Sequence, residues 1–460
     1  MMFNIKDKNV LVIGLGKSGL GAVKLLRKLG AKVMVSEREA LSDDVLKKLE
    51  NGVFLQMGSH KPELANEAEL IVVSPGVPPD NSIIKRAELL GKKIISEIEL
   101  AWMVVHSFVP DWIAITGTNG KSTTTTLVHL MLENSGIEVL TGGNIGTAIT
   151  ELISEKILTP DTRKIDWINI EVSSFQLERI DSFKPRISAL LNIAEDHLDR
   201  YPDMQSYIDA KTRIWKNQSE GDFAVVNHND LLLKQLKPPS YVKVYKFSLN
   251  EEVEGAFIRD GIIVLKDNKD EIPLVSIDEL LVKGIHNQEN ALAASIIAWL
   301  AGASVEAIRE TLRTFKGLSH RLQFVAEVDG IKFYDDSKGT NIASVIKSVQ
   351  SFSSPVVLIL GGQDKGLDFR PLRELKQIKA IIALGESVAK ILSHLDGYFQ
   401  IFPVPDMEAA VKVAHCIADE EEVVLLSPGC ASFDMFKDYA HRGRVFQEAV
   451  KSLKGGKVLC

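Results

Sequence analysis

Residues Ile113–Ser122 read IAITGTNGKS, a short β-favouring run, then a glycine-rich turn, then the start of a helical pattern. That pattern is predicted to run from Lys121 to about Asn134 and to stop at Gly136. A strand running into Gly117-Thr118-Asn119-Gly120-Lys121-Ser122 and then a helix suits phosphate. Backbone N–H groups at a helix N-terminus favour anionic oxygens, and Lys121 can neutralise terminal phosphates. Ser122 or Thr123 can face a metal ion. The general nucleotide-loop pattern has glycine where this chain has Ile115, so the loop is a shortened variant. A glycine-rich turn with a solvated lysine is the plainer alternative; the strand–loop–helix context favours ATP.

Outward from this loop, short β-rich runs alternate with longer amphipathic stretches, the pattern of parallel α/β layers. Before it, strands are expected near Val10–Gly14, Lys32–Ser36 and Leu70–Ser74, with a helix over about Ser18–Leu29. After it come Trp167–Glu171, Ile187–Asn192 and Phe223–Asn227, and a stretch from Tyr241 to Val275 that alternates like antiparallel strands. A helix from about Asn287 to Ala301 closes this block. Beyond Gly317, strands are expected near Ile331–Tyr334, Val356–Leu360, Ala380–Leu384 and Val423–Ser427. The chain has 460 residues, and at roughly 100–200 residues per domain three domains are the central expectation. The breaks fall near residues 108 and 317, giving domains 1–108, 109–317 and 318–460.

Composition narrows the class. With 54 basic and 61 acidic residues the formal charge is −7, which gives no support to a nucleic-acid-binding surface. Three cysteines, Cys416, Cys430 and Cys460, make neither a disulfide framework nor a paired zinc spacing. The first residues have no apolar signal core, and the longest uncharged, mostly apolar stretch, Ala291–Val305, is 15 residues and too short to span a membrane. A soluble, cytoplasmic protein is expected.

The unusual residues recur at the carboxyl ends of the expected strands: Gly14, Ser74-Pro75-Gly76, Gly117, Glu171, Asn192, Asp335-Asp336, Gly361-Gly362 and Ser427-Pro428-Gly429. Open parallel sheets bind ligands at that edge. Glu171 ends an apolar strand, and Asn192, Asp196, His197 and Asp199 follow another. A hard cation beside phosphate takes carboxylate oxygens, and imidazole can complete its site. Singly, each acid reads as a cap or surface residue and His197 equally as a ligand or a packed, hydrogen-bonded histidine; their place beside the phosphate loop favours a metal. Lys211 is bland in isolation.

A competing motif lies near the start. Gly14-Leu15-Gly16-Lys17-Ser18-Gly19 matches the dinucleotide fingerprint, and Glu37 follows about 20 residues on, where a ribose-binding acid belongs. An NAD-dependent oxidoreductase is therefore a second reading. It leaves the second phosphate loop and the Glu171/His197 cluster unexplained.

Several segments together resemble the Mur ligases: GTNGKST (Gly117–Thr123), EVSSFQLE (Glu171–Glu178), NIAEDHLDRYP (Asn192–Pro202), HNQEN (His286–Asn290), HR (His320-Arg321), DDSKGTN (Asp335–Asn341), LGGQDKG (Leu360–Gly366) and LSPGCASFDMF (Leu426–Phe436). They run in order across nearly the whole chain. The GLGKSG first domain and the DSK-containing third domain look like the D-glutamate-adding member; another Mur ligase or a folylpolyglutamate-type ligase is the nearest alternative. The resemblance implies a Rossmann-like N-terminal domain and a central P-loop ATPase-like domain, mostly parallel with a small antiparallel part. It implies a Rossmann-like C-terminal domain as well. The implied activity is ATP-dependent amide formation between UDP-N-acetylmuramoyl-L-alanine and D-glutamate, by a monomer.

The same resemblance implies roles by position. Gly117, Thr118, Asn119, Gly120, Lys121, Ser122 and Thr123 would bind ATP phosphates. Ser122 and Glu171 would hold one Mg²⁺, and His197 with Lys211 a second, with Lys211 carbamylated into a carboxylate-like ligand. Asn287, Asn290, Arg321, Asp336 and Lys338 would contact ATP. Thr340, Lys365, Ser432 and Tyr439, with Lys338 alongside, match the region that holds D-glutamate. Gly16, Lys17, Ser18, Ser36, Arg38, Ser74 and Asn144 would line the UDP-sugar groove. Because Lys121 and Arg321 lie in different expected domains, ligand-linked closure of the third domain is expected. Three positions depart from the usual pattern: Gly339 for alanine, expected to loosen the backbone; Ser36-Glu37-Arg38 for an Asp-Thr-Arg type; and Tyr439 for phenylalanine.

Overall fold

A computed structural model describes the chain except residues 1–3, 40, 42–44, 47–48, 50–51, 110, 159–163, 197–199, 283, 365 and 454–460. It has the expected three-domain α/β fold, one sheet to each domain. The first sheet is all parallel, in the order β3-β2-β1-β4-β5. Its strands are β1 (Asn9–Ile13), β2 (Lys32–Glu37), β3 (Phe54–Met57), β4 (Leu70–Val73) and β5 (Lys93–Ser96). The central strand β1 is apolar and buried from Val10 to Ile13, as a strand covered by helices on both faces must be.

The second sheet comprises β6 (Trp112–Thr116), β7 (Val139–Gly143), β8 (Trp167–Glu171), β9 (Ile187–Leu190), β10 (Phe223–Asn227), β11 (Lys243–Ser248), β12 (Gly255–Arg259), β13 (Ile262–Asp267) and β14 (Asp270–Ser276). Their order is β14-β13-β12-β11-β10-β9-β6-β8-β7. The antiparallel part is smaller than the alternation of Tyr241–Val275 suggests. β11 pairs parallel with both β10 and β12, and only β12–β13 and β13–β14 are antiparallel. Asp260-Gly261 joins β12 to β13, both residues having positive φ (50° and 73°), the backbone of a two-residue hairpin turn.

The third sheet comprises β15 (Gln323–Val328), β16 (Ile331–Asp335), β17 (Val356–Gly361), β18 (Ile378–Leu384), β19 (Gln400–Pro403) and β20 (Val423–Leu426), ordered β15-β16-β20-β17-β18-β19. The β15–β16 hairpin is antiparallel and the other pairs are parallel.

The chain divides into two compact units. One holds the first two sheets, residues 1–193, 200–279 and 289–313; the other holds 194–199, 280–288 and 314–460. Within the first unit, the helix Glu97–Val105 carries two buried carboxylates that join the sheets. Glu97 accepts from the N–H and hydroxyl of Thr150, both at 2.8 Å. Glu99 accepts from the backbone N–H groups of Asp181, Ser182 and Phe183 at 2.8–2.9 Å. Trp102, Trp112 and Phe183 pack edge to face beside them, with centroids 5.6–5.8 Å apart.

Candidate functional site

The phosphate loop forms as its sequence predicts. β6 ends at Thr116 and the helix Lys121–Asn134 begins five residues later, with Gly120 in the left-handed region at φ 82°. A side chain at Gly120 would overlap Asn290 Oδ1, so this residue must be glycine for both reasons. Asn192 fixes the loop from the neighbouring strand end: its Oδ1 accepts from the Asn119 N–H at 2.8 Å, and its amide donates to the Asn119 carbonyl at 3.1 Å. Lys121 Nζ donates to the carbonyls of Gly117 and Thr118 at 2.8 and 2.9 Å. The ammonium is thus held at the mouth of its own loop.

Behind the loop stand hard-oxygen groups. The Ser122 hydroxyl donates to Glu171 Oε2 at 2.6 Å, while Asn144 Nδ2 donates to Glu171 Oε1 at 2.7 Å. Glu171 is buried at the carboxyl end of β8. A hydroxyl and a carboxylate in contact beside a phosphate loop are the donor set that suits Mg²⁺, so these residues fit the ion. Among the described residues no cluster of three His, Cys, Asp or Glu side chains converges as a metal site. His197, the expected ligand of a second ion, lies outside the described residues.

Lys211 is placed where its sequence context gave no hint. It is buried, only 2% exposed, on the helix Met204–Thr212, and its Nζ donates to the Gly117 carbonyl at 3.0 Å while lying 4.6 Å from the Tyr207 ring centroid. One turn earlier, Tyr207 bonds through its hydroxyl to Thr118 Oγ1 at 3.1 Å. Tyr207 was invisible in the sequence because an aromatic residue on a helix reads as core.

The first domain's glycine turn has a structural cause. A Cβ at Gly19 would run into the Gly14 carbonyl, so the helix Lys17–Lys28 approaches the turn only with glycine there. Gly16, by contrast, faces open space. Glu37 closes the turn: its carboxylate accepts from the N–H of Leu15 and of Arg38, both at 2.6 Å, and of Glu39 at 3.1 Å. Ser36 is buried and bonded to Gln56 and His60, and Ser74 donates to the Gly14 carbonyl at 2.8 Å. Lys17, Arg38 and Asn144 are exposed, and Ser18 is half-buried.

In the second unit a polar network surrounds Asp335 and Asp336 at the end of β16. Asp336 Oδ2 accepts from the hydroxyls of Ser348 and Ser427 at 2.7 and 2.8 Å. Burial outweighs these donors and pushes its pKa up to about 6. The backbone of Gly339 is bonded on both sides: its N–H donates to the Asp336 carbonyl at 2.7 Å and its carbonyl accepts from the Gly429 N–H at 2.8 Å. A Cβ there would lie 2.5 Å from Asp336 Oδ2 and 2.8 Å from the Ser427 hydroxyl, so the glycine leaves room for the network. Asp335 holds His320 Nδ1 at 2.7 Å. His320 and Leu322, on either side of Arg321, both have positive φ (63° and 47°), a strained backbone that the Asp335 and Asp336 contacts secure.

Lys338 Nζ stands 4.0 Å from the Tyr439 ring centroid, and the Tyr439 carbonyl accepts from the Ser337 hydroxyl at 2.7 Å. Ser432 is buried and Thr340 half-buried; Lys365 lies outside the described residues. Arg442 is the residue that sequence reasoning missed. It is 1% exposed and donates to Ser337 Oγ and to the carbonyls of Ser337, Cys430 and Ala431, pinning two strand-end loops together. Burial pulls its pKa down to about 10. Its position in an ordinary amphipathic helix gives no sequence signal.

Asn287 and Asn290 are both buried. Asn290 meets the Thr124 hydroxyl at 3.3 Å on the flank of the phosphate-loop helix.

The Mur ligase middle domain matches residues 115–298, the Mur ligase MurD-like N-terminal domain residues 8–96, and the Mur ligase glutamate ligase domain residues 320–430. The chain belongs to the Mur ligase family. Among its relatives are UDP-N-acetylmuramoylalanine–D-glutamate ligases of Geotalea daltonii, 42% identical over 458 residues, and of Caldanaerobacter subterraneus, 41% identical over 460 residues. Each alignment covers 98% of this chain and 99% of the relative. Among solved structures, MurC of Thermotoga maritima has a TM-score of 0.61 at 19% identity, covering 97% of this chain and 99% of that one. MurF of the same organism, in complex with ADP, has a TM-score of 0.60 at 15% identity, covering 99% and 97%. At that identity the likeness establishes the Mur ligase fold. Among the described residues no helix is long and apolar enough to cross a membrane.

Proposed function

We propose that this Mur ligase joins UDP-N-acetylmuramoyl-L-alanine to D-glutamate with hydrolysis of ATP to ADP and phosphate, a cytoplasmic step of peptidoglycan precursor synthesis. The observation that carries the reading is the phosphate loop with Ser122 and Glu171 in contact behind it. The two named relatives support the choice of substrates.

A carboxylate is a poor acylating agent, so the amide needs an activated acyl group. An oxygen of the substrate's terminal carboxylate attacks the γ-phosphorus of ATP, the bond to the β–γ bridging oxygen breaks, and ADP leaves. The amine of D-glutamate then attacks the acyl phosphate carbon. The C–O bond to phosphate breaks as the tetrahedral intermediate collapses, and the amine's surplus proton passes to solvent. Phosphoryl transfer depends chiefly on positioning and charge neutralisation. Lys121 and the loop amides supply these for the phosphates, and its two carbonyl contacts pre-place the ammonium.

Ser122 and Glu171 would hold Mg²⁺, which when bound offsets phosphate charge. Lys211, brought by Tyr207 against the loop, is the candidate for carbamylation and for a second ion with His197. In the third domain Thr340, Ser432 and Tyr439, with Lys338 against the Tyr439 ring, are the candidates for D-glutamate, and Lys365 joins them by its place in LGGQDKG. The first-domain turn, with Gly16 open and Lys17 exposed, is the candidate groove for the UDP-sugar.

Phosphate release measured across D-glutamate, L-alanine, a diamino acid and glutamyl-folate substrates tests the assignment. Release is expected only with UDP-N-acetylmuramoyl-L-alanine and D-glutamate together. Turnover with a different amino acid, or without the UDP-sugar, overturns it.

A further inference from the structure

Two charged residues of the shared motifs, Glu178 in EVSSFQLE and Arg200 in NIAEDHLDRYP, have no part in the reaction as derived. In the first compact unit they meet. Arg200 donates through one guanidinium nitrogen to the backbone carbonyls of Pro75 and Val77, at 3.1 and 3.0 Å. Its other terminal nitrogen donates to Glu178 Oε2 at 2.8 Å. The guanidinium carbon lies 4.2 Å from the Phe175 ring centroid, and Tyr201 donates its hydroxyl to Glu178 Oε1 at 2.6 Å. The Arg200 side chain is 14% exposed and that of Glu178 21%, so the pair is largely withdrawn from water.

Each end of this arrangement reaches a different ligand region. Pro75 and Val77 belong to the loop after β4, whose Ser74 hydroxyl bonds the Gly14 carbonyl of the glycine turn. Phe175 lies on the helix Ser174–Leu177, which starts three residues after Glu171 and is fixed by a capping box from Ser173 and Gln176. The helix of Tyr207 and Lys211, both touching the phosphate loop, begins just after Tyr201.

A guanidinium is suited to such a task. It is planar, permanently charged and can hold two carbonyls and a carboxylate at once, whereas an ammonium is a point charge. Here the guanidinium is oriented by a half-buried carboxylate and a ring face together.

We propose that Arg200 is a positioning residue that sets the Ser74–Val77 loop for the UDP-sugar, with Glu178 and Phe175 as its fixed base. The inference rests on the reading that the first-domain groove takes that substrate. Glu178 orients the guanidinium, and Tyr201 orients Glu178. Without Arg200 the loop loses its tie to the wall behind Glu171, while the phosphate loop keeps its own bonds to Asn192 and Tyr207.

The test is a split of steady-state constants in the full-length enzyme, read by phosphate release while UDP-N-acetylmuramoyl-L-alanine and ATP are varied separately. Arg200→Met is expected to raise KM for the UDP-sugar on the order of 10–100-fold, the scale of charge-assisted hydrogen bonds lost. KM for ATP, and kcat at saturating UDP-sugar, should stay within about threefold of wild type. Arg200→Lys should recover part of the loss, and Glu178→Gln should shift the same KM by a smaller factor. Thermal melting confirms that each variant is folded; if Arg200→Met is not, Arg200→Lys and Glu178→Gln decide the matter. An unchanged KM for the UDP-sugar, or an equal rise for ATP, refutes the role of Arg200. A wild-type enzyme that releases no phosphate with this substrate pair refutes instead the functional reading beneath it.

Discussion

Replacing Asp336 by asparagine removes a charge that the fold makes costly. The side chain is 7% exposed, and burial raises its carboxyl from the ordinary 3.8 to about 6. The hydroxyls of Ser348 and Ser427 and the charge of Arg321 oppose that rise without cancelling it. The folded protein therefore holds the proton more tightly than the unfolded chain. Its contribution to stability is present in full below the unfolded pKa and is lost as pH rises through about 6. A displacement of about two pH units corresponds to roughly 3 kcal/mol across the titration, and roughly 2–3 kcal/mol of it falls between pH 4 and 7.

Asparagine keeps an oxygen for the two hydroxyls but turns its amide toward the Leu322 N–H, a weak 3.3 Å contact. Its absolute stability therefore mixes two effects, and the pH dependence isolates the charge. The variant's stability relative to wild type should rise by roughly 2–3 kcal/mol between pH 4 and 7. All five tryptophans lie at or before residue 299, so indole fluorescence reports the first unit. The second unit calls for urea titrations followed by far-ultraviolet circular dichroism. A difference between the two proteins that is flat across this range would refute the claim that Asp336 is ionised at a cost.

The phosphate loop gives the next tests. Lys121→Ala should remove acyl-phosphate formation, measured as ADP released with UDP-sugar but no D-glutamate; retained turnover would end the ATP assignment. Gly120→Ala places a side chain into Asn290 on a backbone with φ of 82°, so nucleotide binding by calorimetry should weaken at least tenfold, on the order of 1.4 kcal/mol. Lys211→Ala should lose activity and regain part of it with added short carboxylates, and absence of rescue at every concentration would count against a carbamate. In the first domain, Gly19→Ala should cost about 1–3 kcal/mol of stability through overpacking against Gly14, while Gly16→Ala should leave the melting temperature unchanged.

The sequence by itself determined the strands that lie inside the sheets. β1, β6, β8, β10, β17 and β20 read as apolar runs because helices cover both their faces, and the residues ending them were found with them. The strands it missed, β3, β5, β7, β15 and β19, all lie at sheet edges. An edge strand is short and half-exposed, as Phe54 and Met57 of β3 are, so its pattern carries little apolar signal. The site divides in the same way. Gly117–Ser122 and Glu171 are contiguous with their strands, and local chemistry reveals them. Lys211 gained its place in the site only from a resemblance, and its burial against the Gly117 carbonyl is a tertiary fact. Arg442 and the Arg200–Glu178 pair likewise emerge only when distant segments meet. A charged residue on a helix or loop reads as solvated until the fold shows which carbonyls and carboxylates have been withdrawn from water around it.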